Sequence, residues 1–308
     1  MIRIGIDLGG TKIAGIALLN DDAVLAECRL PTPRNDYQGT VDAICGMVTT
    51  LAEYAHDEPY SIGVGIPGSV SPLTGKVQNA NSTWLNGRGL KHDLEHAMGQ
   101  ELRLANDANC LAMSEARDGA GESFQTVFGV ILGTGCGGGL VSGGHNRTGK
   151  HAICGEWGHN PLPWSHANEI PGPECWCGRK GCLENWLSGP GLARDHLQAT
   201  GQNASAEEIG RLAVSGDETC LASLDRHLDR TARGLAHVVN IVDPDIIIIG
   251  GGLVALPGLV ARLPDAIAPY VFADQVDIRV AAARHGPASG VRGAACLWAI
   301  DETDGVKS

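Results

Sequence analysis

Two places in this chain carry the same short design, and that recurrence constrains the fold more than any other feature. Ile2-Arg-Ile-Gly-Ile-Asp7 reads as an apolar strand, Gly9-Gly10-Thr11-Lys12 as a turn, and Ile13 to Leu19 as the returning strand. Near residue 127 the pattern begins again, with Thr126 to Leu132, the turn Gly133-Thr134-Gly135 within a longer glycine run, and a strand through Leu140-Val141. Self-similarity at this distance predicts two α/β domains of related design, and 308 residues are enough to build both.

The segments between fit that plan. A third strand is expected over Val24 to Leu30, stopped by Pro31 and Pro33, and a helix over 37–56 from the spacing of Val41, Ile44, Cys45, Val48, Leu51 and Ala52. Ser61 to Ile66 reads as a strand ending at Pro67-Gly68, residues 90–98 as a helix, and Glu101 to Leu104 as extended. Asp107 opens a helix to Ala116, with Asn106 or Asp107 suited to cap it. The apolar strand Ile246 to Ile249 runs into Gly250-Gly251-Gly252 and an expected helix, a junction whose free backbone N–H groups suit an anion. A last apolar helix over 289–300 is expected to return to the first domain. The expected division is a smaller N-terminal domain, 1–117 plus 289–308, and a larger C-terminal one, 118–288, tightly joined by helices.

A net charge of -12 argues against nucleic acid and anionic membranes as partners, because phosphate contacts need a basic surface. No run reaches membrane-spanning length and no apolar leader precedes the first strand. Ten cysteines without such a leader point to a reducing, cytoplasmic setting. Cys28, Cys45, Cys110, Cys136, Cys154, Cys220 and Cys296 are scattered among apolar residues and are expected to be small buried hydrophobes.

The other three cysteines are clustered. Gly155-Glu156-Trp157-Gly158-His159 is followed by Cys175-Trp-Cys177-Gly-Arg-Lys-Gly-Cys182-Leu-Glu184. Three thiolates and an imidazole match a tetrahedral zinc site, with Gly178 and Gly181 allowing the turns. Four protein ligands leave no open position for water, so the metal is expected to be structural. Glu156 and Glu184 flank the ligands, and the cassette by itself leaves acid/base work, sugar-hydroxyl recognition and a second metal all open.

Asp7 followed by Gly9, Gly10, Thr11 and Lys12 places a carboxylate, backbone N–H groups, a hydroxyl and a cation together, which suits phosphates and a Mg2+ ion. A plain glycine hairpin is the competing reading, as is close strand packing for Gly135 to Gly139. The Gly-x4-Gly-Lys-Ser/Thr loop is absent. Asn106-Asp107-Ala108-Asn109 offers a carboxylate able to take a proton from a substrate hydroxyl. The bland alternative is a helix cap, worth about 1 kcal/mol and common.

These residues together resemble the ROK family of bacterial sugar kinases and repressors, within the actin-like ATPase superfamily. The resemblance rests on Ile6-Asp-Leu-Gly-Gly-Thr-Lys12, Gly65-Ile-Pro-Gly68, Asn106-Asp-Ala-Asn109, Gly133-Thr-Gly135, Gly155-Glu-Trp-Gly-His159 and the cysteine cassette, and it spans essentially the whole chain. It implies a two-domain α/β, ribonuclease H-like fold with an interdomain cleft and a structural zinc loop. It implies ATP, Mg2+ and Zn2+ as cofactors, phosphorylation of a hexose 6-hydroxyl, and a homodimer. By the same resemblance Asp107 is the general base, and Gly68, Asn81, Asn106, Glu156, His159 and Glu184 meet the sugar. Asp7 holds Mg2+, and Gly9, Gly10, Thr11, Lys12, Thr134, Gly135, Gly251 and Gly252 surround ATP. His159, Cys175, Cys177 and Cys182 hold zinc, with the second His159 nitrogen toward the sugar.

Within the family, segments 68–75, 79–87 and 155–164 are most similar to bacterial fructokinases that also accept mannose, which makes D-fructose the expected substrate. Glucose and N-acetylglucosamine kinases are the alternatives, with a non-catalytic sugar sensor behind them. Family repressors carry a helix-turn-helix segment ahead of the first hairpin. Here that hairpin begins at residue 2, so a DNA-binding role is not expected.

Overall fold

The computed structural model describes residues 2–56 and 58–298. In chain order the elements are β1 (Ile2–Leu8), β2 (Lys12–Leu18), β3 (Val24–Pro31), α1 (Tyr37–Ala52), β4 (Tyr60–Ile66), β5 (Ser69–Val70), β6 (Val77–Gln78), α2 (Leu90–Met98), β7 (Arg103–Asn106) and α3 (Asp107–Asp118). Then come β8 (Thr126–Leu132), β9 (Cys136–Ser142), β10 (His145–Asn146), α4 (Glu184–Leu187), α5 (Gly189–Thr200), α6 (Ala206–Val214) and α7 (Glu218–Val242). The order closes with β11 (Ile246–Gly250), α8 (Leu259–Ile267), β12 (Val280–Ala282) and α9 (Ser289–Ala295). The chain is thus a two-domain α/β protein. Among the described residues its compact units are 2–122 with Gly139–Cys154 and 287–298, and Ser123–Gly138 with Gly155–Gly286. Residues 139–154 therefore group with the first unit, whereas the sequence reading had placed them in the second domain. The expected share of 299–308 in the first domain lies outside the described residues.

In the first unit the strands run β3-β2-β1-β4-β7. β1 is central and nearly all buried, antiparallel to β2 and parallel to β4. β3 is the edge strand, half-exposed and ended by Pro31, which has no N–H to give a further strand. One face of the sheet is covered by α1, whose start is capped by Asp36 accepting the Gly39 N–H at 2.9 Å. Val41, Ile44, Met47, Val48 and Leu51 recur at helical spacing and are buried. Another face receives α9 at backbone distance. A Cβ on Gly5 would stand 2.2 Å from the Val291 carbonyl oxygen, and one on Gly63 1.9 Å from that of Ala294.

In the second unit β8, β11 and β12 are parallel neighbours, and the chain leaves β8 through the glycine turn. Ile246 to Ile249 are fully buried, as strands covered on both faces are. The 25-residue α7, capped by Asp217 on the N–H groups of Thr219 and Cys220, is the long helix against which α5, α6 and α8 pack.

Three expectations change in detail. The last helix, expected over 289–300, ends at Ala295, with 299–300 outside the described residues. The first helix stops at Ala52 and passes into a 3₁₀ turn over Glu53–Ala55, where His56 takes φ 47°. After β11 the glycine run enters a 3₁₀ turn, Gly252–Ala255, not a helix; Pro257 and Gly258, at φ 69°, delay α8 to Leu259.

Candidate active site

Parallel strands end together, and their carboxyl ends are where open α/β sheets gather ligands. In the first unit Asp7 of β1 is in register with Gly65 of β4, and Ile66 of β4 with Asn106 of β7. Asp7, Gly65 to Gly68 and Asn106-Asp107 therefore cluster at one edge of one sheet. Burial first, and then the negative charge of Asp107, push the Asp7 carboxyl up to about 6, against the pull of Lys12. Burial also raises Asp107, opposed by its bonds to the Ala108 N–H and the Asn106 side chain. Two half-buried carboxylates this close favour a cation between or beside them.

Asn106 is the cap of α3: its Oδ1 accepts the Ala108 N–H at 2.9 Å, and Asp107 Oδ1 accepts the same N–H at 2.8 Å. Its amide Nδ2 donates to the Gly68 carbonyl at 3.1 Å. Gly68 is at φ 72°, and a Cβ there would fall 2.3 Å from the Gln78 carbonyl oxygen. Asn81 follows Ala80, whose N–H and C=O are both held by the Asn86 side chain at 2.9 and 2.8 Å. The Gly9–Lys12 turn is closed by the Gly9 N–H on the Lys12 carbonyl at 3.0 Å and by Thr32, whose Oγ1 donates to the Gly9 carbonyl at 2.7 Å.

The second unit repeats the arrangement at the ends of β8 and β11. Gly133 N–H donates to the Gly135 carbonyl at 3.0 Å, and the Gly189 N–H donates to the Gly133 carbonyl at 2.8 Å. Thr134 thus lies at the tip of a braced turn. Gly251, at φ 85°, abuts β8: a Cβ there would stand 2.3 Å from the Leu132 carbonyl oxygen. Beside Gly252 an added Cβ would meet nothing within 4 Å, so its backbone is open to approach. At Gly138 the close-packing reading of the run 135–139 has support, since a Cβ there would run into the Trp157 indole at 2.7 Å.

Glu156 precedes a 3₁₀ turn, Trp157–His159, which the Trp157 indole N–H anchors to the Gly137 carbonyl at 3.0 Å. One ligand atom from each of His159, Cys175, Cys177 and Cys182 lies within 4.8 Å of all the others. Cys175 Sγ is 3.6 Å from His159 Nδ1, and Cys177 Sγ 3.6 Å from Cys182 Sγ. Zinc bonds of about 2.3 Å at tetrahedral angles put sulfurs roughly 3.8 Å apart, so the spacing of this donor set fits zinc. The loop closes on itself, with the Gly178 N–H on the Cys175 carbonyl and the Cys175 N–H on that of Arg179. All ten cysteines are free; four of the seven scattered ones are buried, whereas Cys28, Cys45 and Cys154 are half-buried.

Glu184 receives the Cys136 N–H on Oε2 at 3.2 Å and the Trp176 indole N–H on Oε1 at 2.7 Å. Behind the loop, Glu169 is gripped by Arg230 and Arg233 of α7, at 2.8 Å each, and Arg230 also bonds Asp195. Burial would raise the Glu169 carboxyl, but the two guanidiniums hold it down at about 2. Thr32, Asn86, Trp176 and this ion network were not singled out from the sequence. Asn86 and Trp176 lay inside the segments used for the resemblance, so their positions were in view while their bonds were not.

No helix among the described residues is long and apolar enough to cross a membrane. The model of the ROK family matches residues 3–301. An N-acetyl-D-glucosamine kinase from Shigella flexneri is 40% identical over 301 residues, covering 96% of this chain and 99% of that protein. The crystal structure of the ROK hexokinase from Thermus thermophilus is similar at 31% identity with a TM-score of 0.85, over 99% of this chain and 100% of that one. A ROK family glucokinase from Streptomyces griseus, solved with glucose and AMPPNP, is similar at 29% identity and a TM-score of 0.77, over 96% and 99%. With the match running from one hairpin through the other and across the cysteine loop, this chain belongs to the ROK family.

Proposed function

We propose that this ROK-family sugar kinase transfers the γ-phosphoryl group of ATP to the 6-hydroxyl of a hexose, and that N-acetylglucosamine is the hexose it prefers. The observation that carries the transfer reading is Asp107, a half-buried carboxylate at the head of α3 and close to Asp7. Burial raises its proton affinity above that of an ordinary carboxylate, which strengthens it as a base. Asp107 takes the hydroxyl proton as that oxygen bonds to the γ-phosphorus, and the bond to the bridging oxygen of ADP breaks. Asp7 would hold Mg2+, directly or through water; when bound, the ion offsets phosphate charge.

Gly9, Gly10, Thr11, Lys12, Thr134, Gly135, Gly251 and Gly252 are the proposed nucleotide contacts. The open backbone beside Gly252 and the braced Thr134 turn support this. Asn81, Asn106, Glu156, His159 and Glu184, with Gly68, are the proposed sugar contacts. Cys175, Cys177, Cys182 and His159 would hold a structural zinc that fixes the loop. A cytoplasmic setting, supported by ten free cysteines, and a homodimer complete the proposal.

The preference for N-acetylglucosamine rests on the 40% identity, over 96% of this chain, to kinases of that sugar from Shigella flexneri and Escherichia coli. D-fructose, expected from segments 68–75, 79–87 and 155–164, is the second reading. Phosphorus and proton NMR of the product separates regiochemistry from preference. A 6-phosphate ester supports the assignment, and a 1-phosphate would contradict it.

A further inference from the structure

Glu184 joins two segments that the proposed function gives to different ligands. Its Oε2 takes the N–H of Cys136, the residue that follows the Gly133-Thr134-Gly135 turn, and its Oε1 takes the indole N–H of Trp176. A Cβ on Gly135 would stand 2.9 Å from the same Oε2, so the carboxylate rests directly on the turn. Trp176 sits between Cys175 and Cys177 on the metal loop, with its ring edge-to-face on His159 at 4.9 Å. Trp176 is 60% exposed. Core packing does not fix it; the bond to Glu184 and the His159 contact do.

We propose that Trp176 is a positioning residue for Glu184, and that the Trp176–Glu184–Cys136 link couples sugar binding on the metal loop to nucleotide binding on the Gly133–Gly135 turn. The inference rests on the kinase reading above. A ligand on either segment fixes the carboxylate that the other segment needs, so the second ligand meets an already ordered partner. Such coupling is reciprocal by thermodynamic necessity. A donor at position 176 is therefore required, and ring volume alone does not replace it.

The test is calorimetric, on zinc-loaded protein, with a non-hydrolysable ATP analogue titrated with and without saturating N-acetylglucosamine. Wild type is expected to bind the analogue at least about fivefold tighter with sugar present. Trp176→Phe, which keeps the ring and removes the N–H, should retain one zinc per chain and kcat within about twofold, raise the sugar KM by roughly fivefold, and lose the coupling. Trp176→His, which retains a ring donor, should restore part of it. Unchanged coupling in Trp176→Phe overturns the inference.

A second measurement needs no variant. The Trp176 indole N–H resonance, assigned through its contact with His159, should shift when the analogue alone is added to wild type; an unmoved resonance also overturns the inference. Sugar turnover without coupling defeats this inference alone, whereas no turnover with any sugar defeats the kinase reading beneath it.

Discussion

The side-chain amide of Asn106 ties Gly68 to the head of α3, donating to the Gly68 carbonyl at 3.1 Å while its own oxygen caps Ala108. Replacement with aspartate keeps a cap oxygen and removes the donor. Asn106→Asp should therefore leave unfolding stability within about 1 kcal/mol of wild type, and raise the sugar KM by roughly tenfold through loosening of the segment after Gly68. Urea denaturation and steady-state kinetics check the two halves. Unchanged KM would separate Asn106 from the sugar side.

Asp107→Asn retains shape and an acceptor for the Ala108 N–H but cannot take a proton. Turnover should fall by about 1000-fold with sugar affinity largely kept. A near-normal rate would remove Asp107 as the base.

Removing one thiolate tests the metal. Wild-type protein should carry one zinc per chain by elemental analysis. Cys177→Ser should lose most of it and weaken sugar affinity by roughly 10- to 100-fold, because Glu184 and His159 are aimed by the loop. Less than half a zinc per wild-type chain would count against the site.

The Glu169 network gives a pH signature of stability. Its carboxyl is held at about 2, below the ordinary 4.5, so its contribution is full above the unfolded value and fades as pH falls toward the folded one. Glu169→Gln should cost about 3 kcal/mol at pH 7. That gap should begin to shrink below pH 4.5 and reach roughly half near pH 3. Urea unfolding of both proteins across that range checks it; a gap independent of pH would show that the ion pairs contribute little.

What could be read from the sequence was what local chemistry writes. The hairpins at Asp7 and Leu132, the Asn106 cap and the cysteine spacing each depend on neighbours within a few residues, and each stands where it was expected. The His159, Cys175, Cys177 and Cys182 cluster was legible because three cysteines on one loop need no distant partner. The Glu169–Arg230–Arg233 network was not, since it joins a loop to a helix some sixty residues on and no local pattern marks it. The Trp176 bond was hidden for a related reason: its donor reaches Glu184 after the metal loop has folded back. The helix expected to 56 shortened because periodicity tracks the buried face and says little about where the last turn unwinds.

Position 184 illustrates how the two kinds of reading combine. The cassette alone left its carboxylate open among acid/base work, sugar recognition and metal binding. With both oxygens placed, on Cys136 and Trp176, it is a braced acceptor, which suits hydroxyl recognition better than proton transfer. The proposed function gives proton transfer to Asp107, whose carboxyl is raised by burial.

The central claim is ATP-dependent phosphorylation of a hexose, and the most direct measurement is a coupled ADP-release assay of the zinc-loaded protein with Mg2+ over N-acetylglucosamine, glucose, mannose and fructose. The account predicts sugar-dependent ADP release in the panel, with the highest kcat/KM for N-acetylglucosamine. Fructose in first place would replace the preferred sugar and keep the mechanism; no sugar-dependent ADP release from any member of the panel would contradict the account itself.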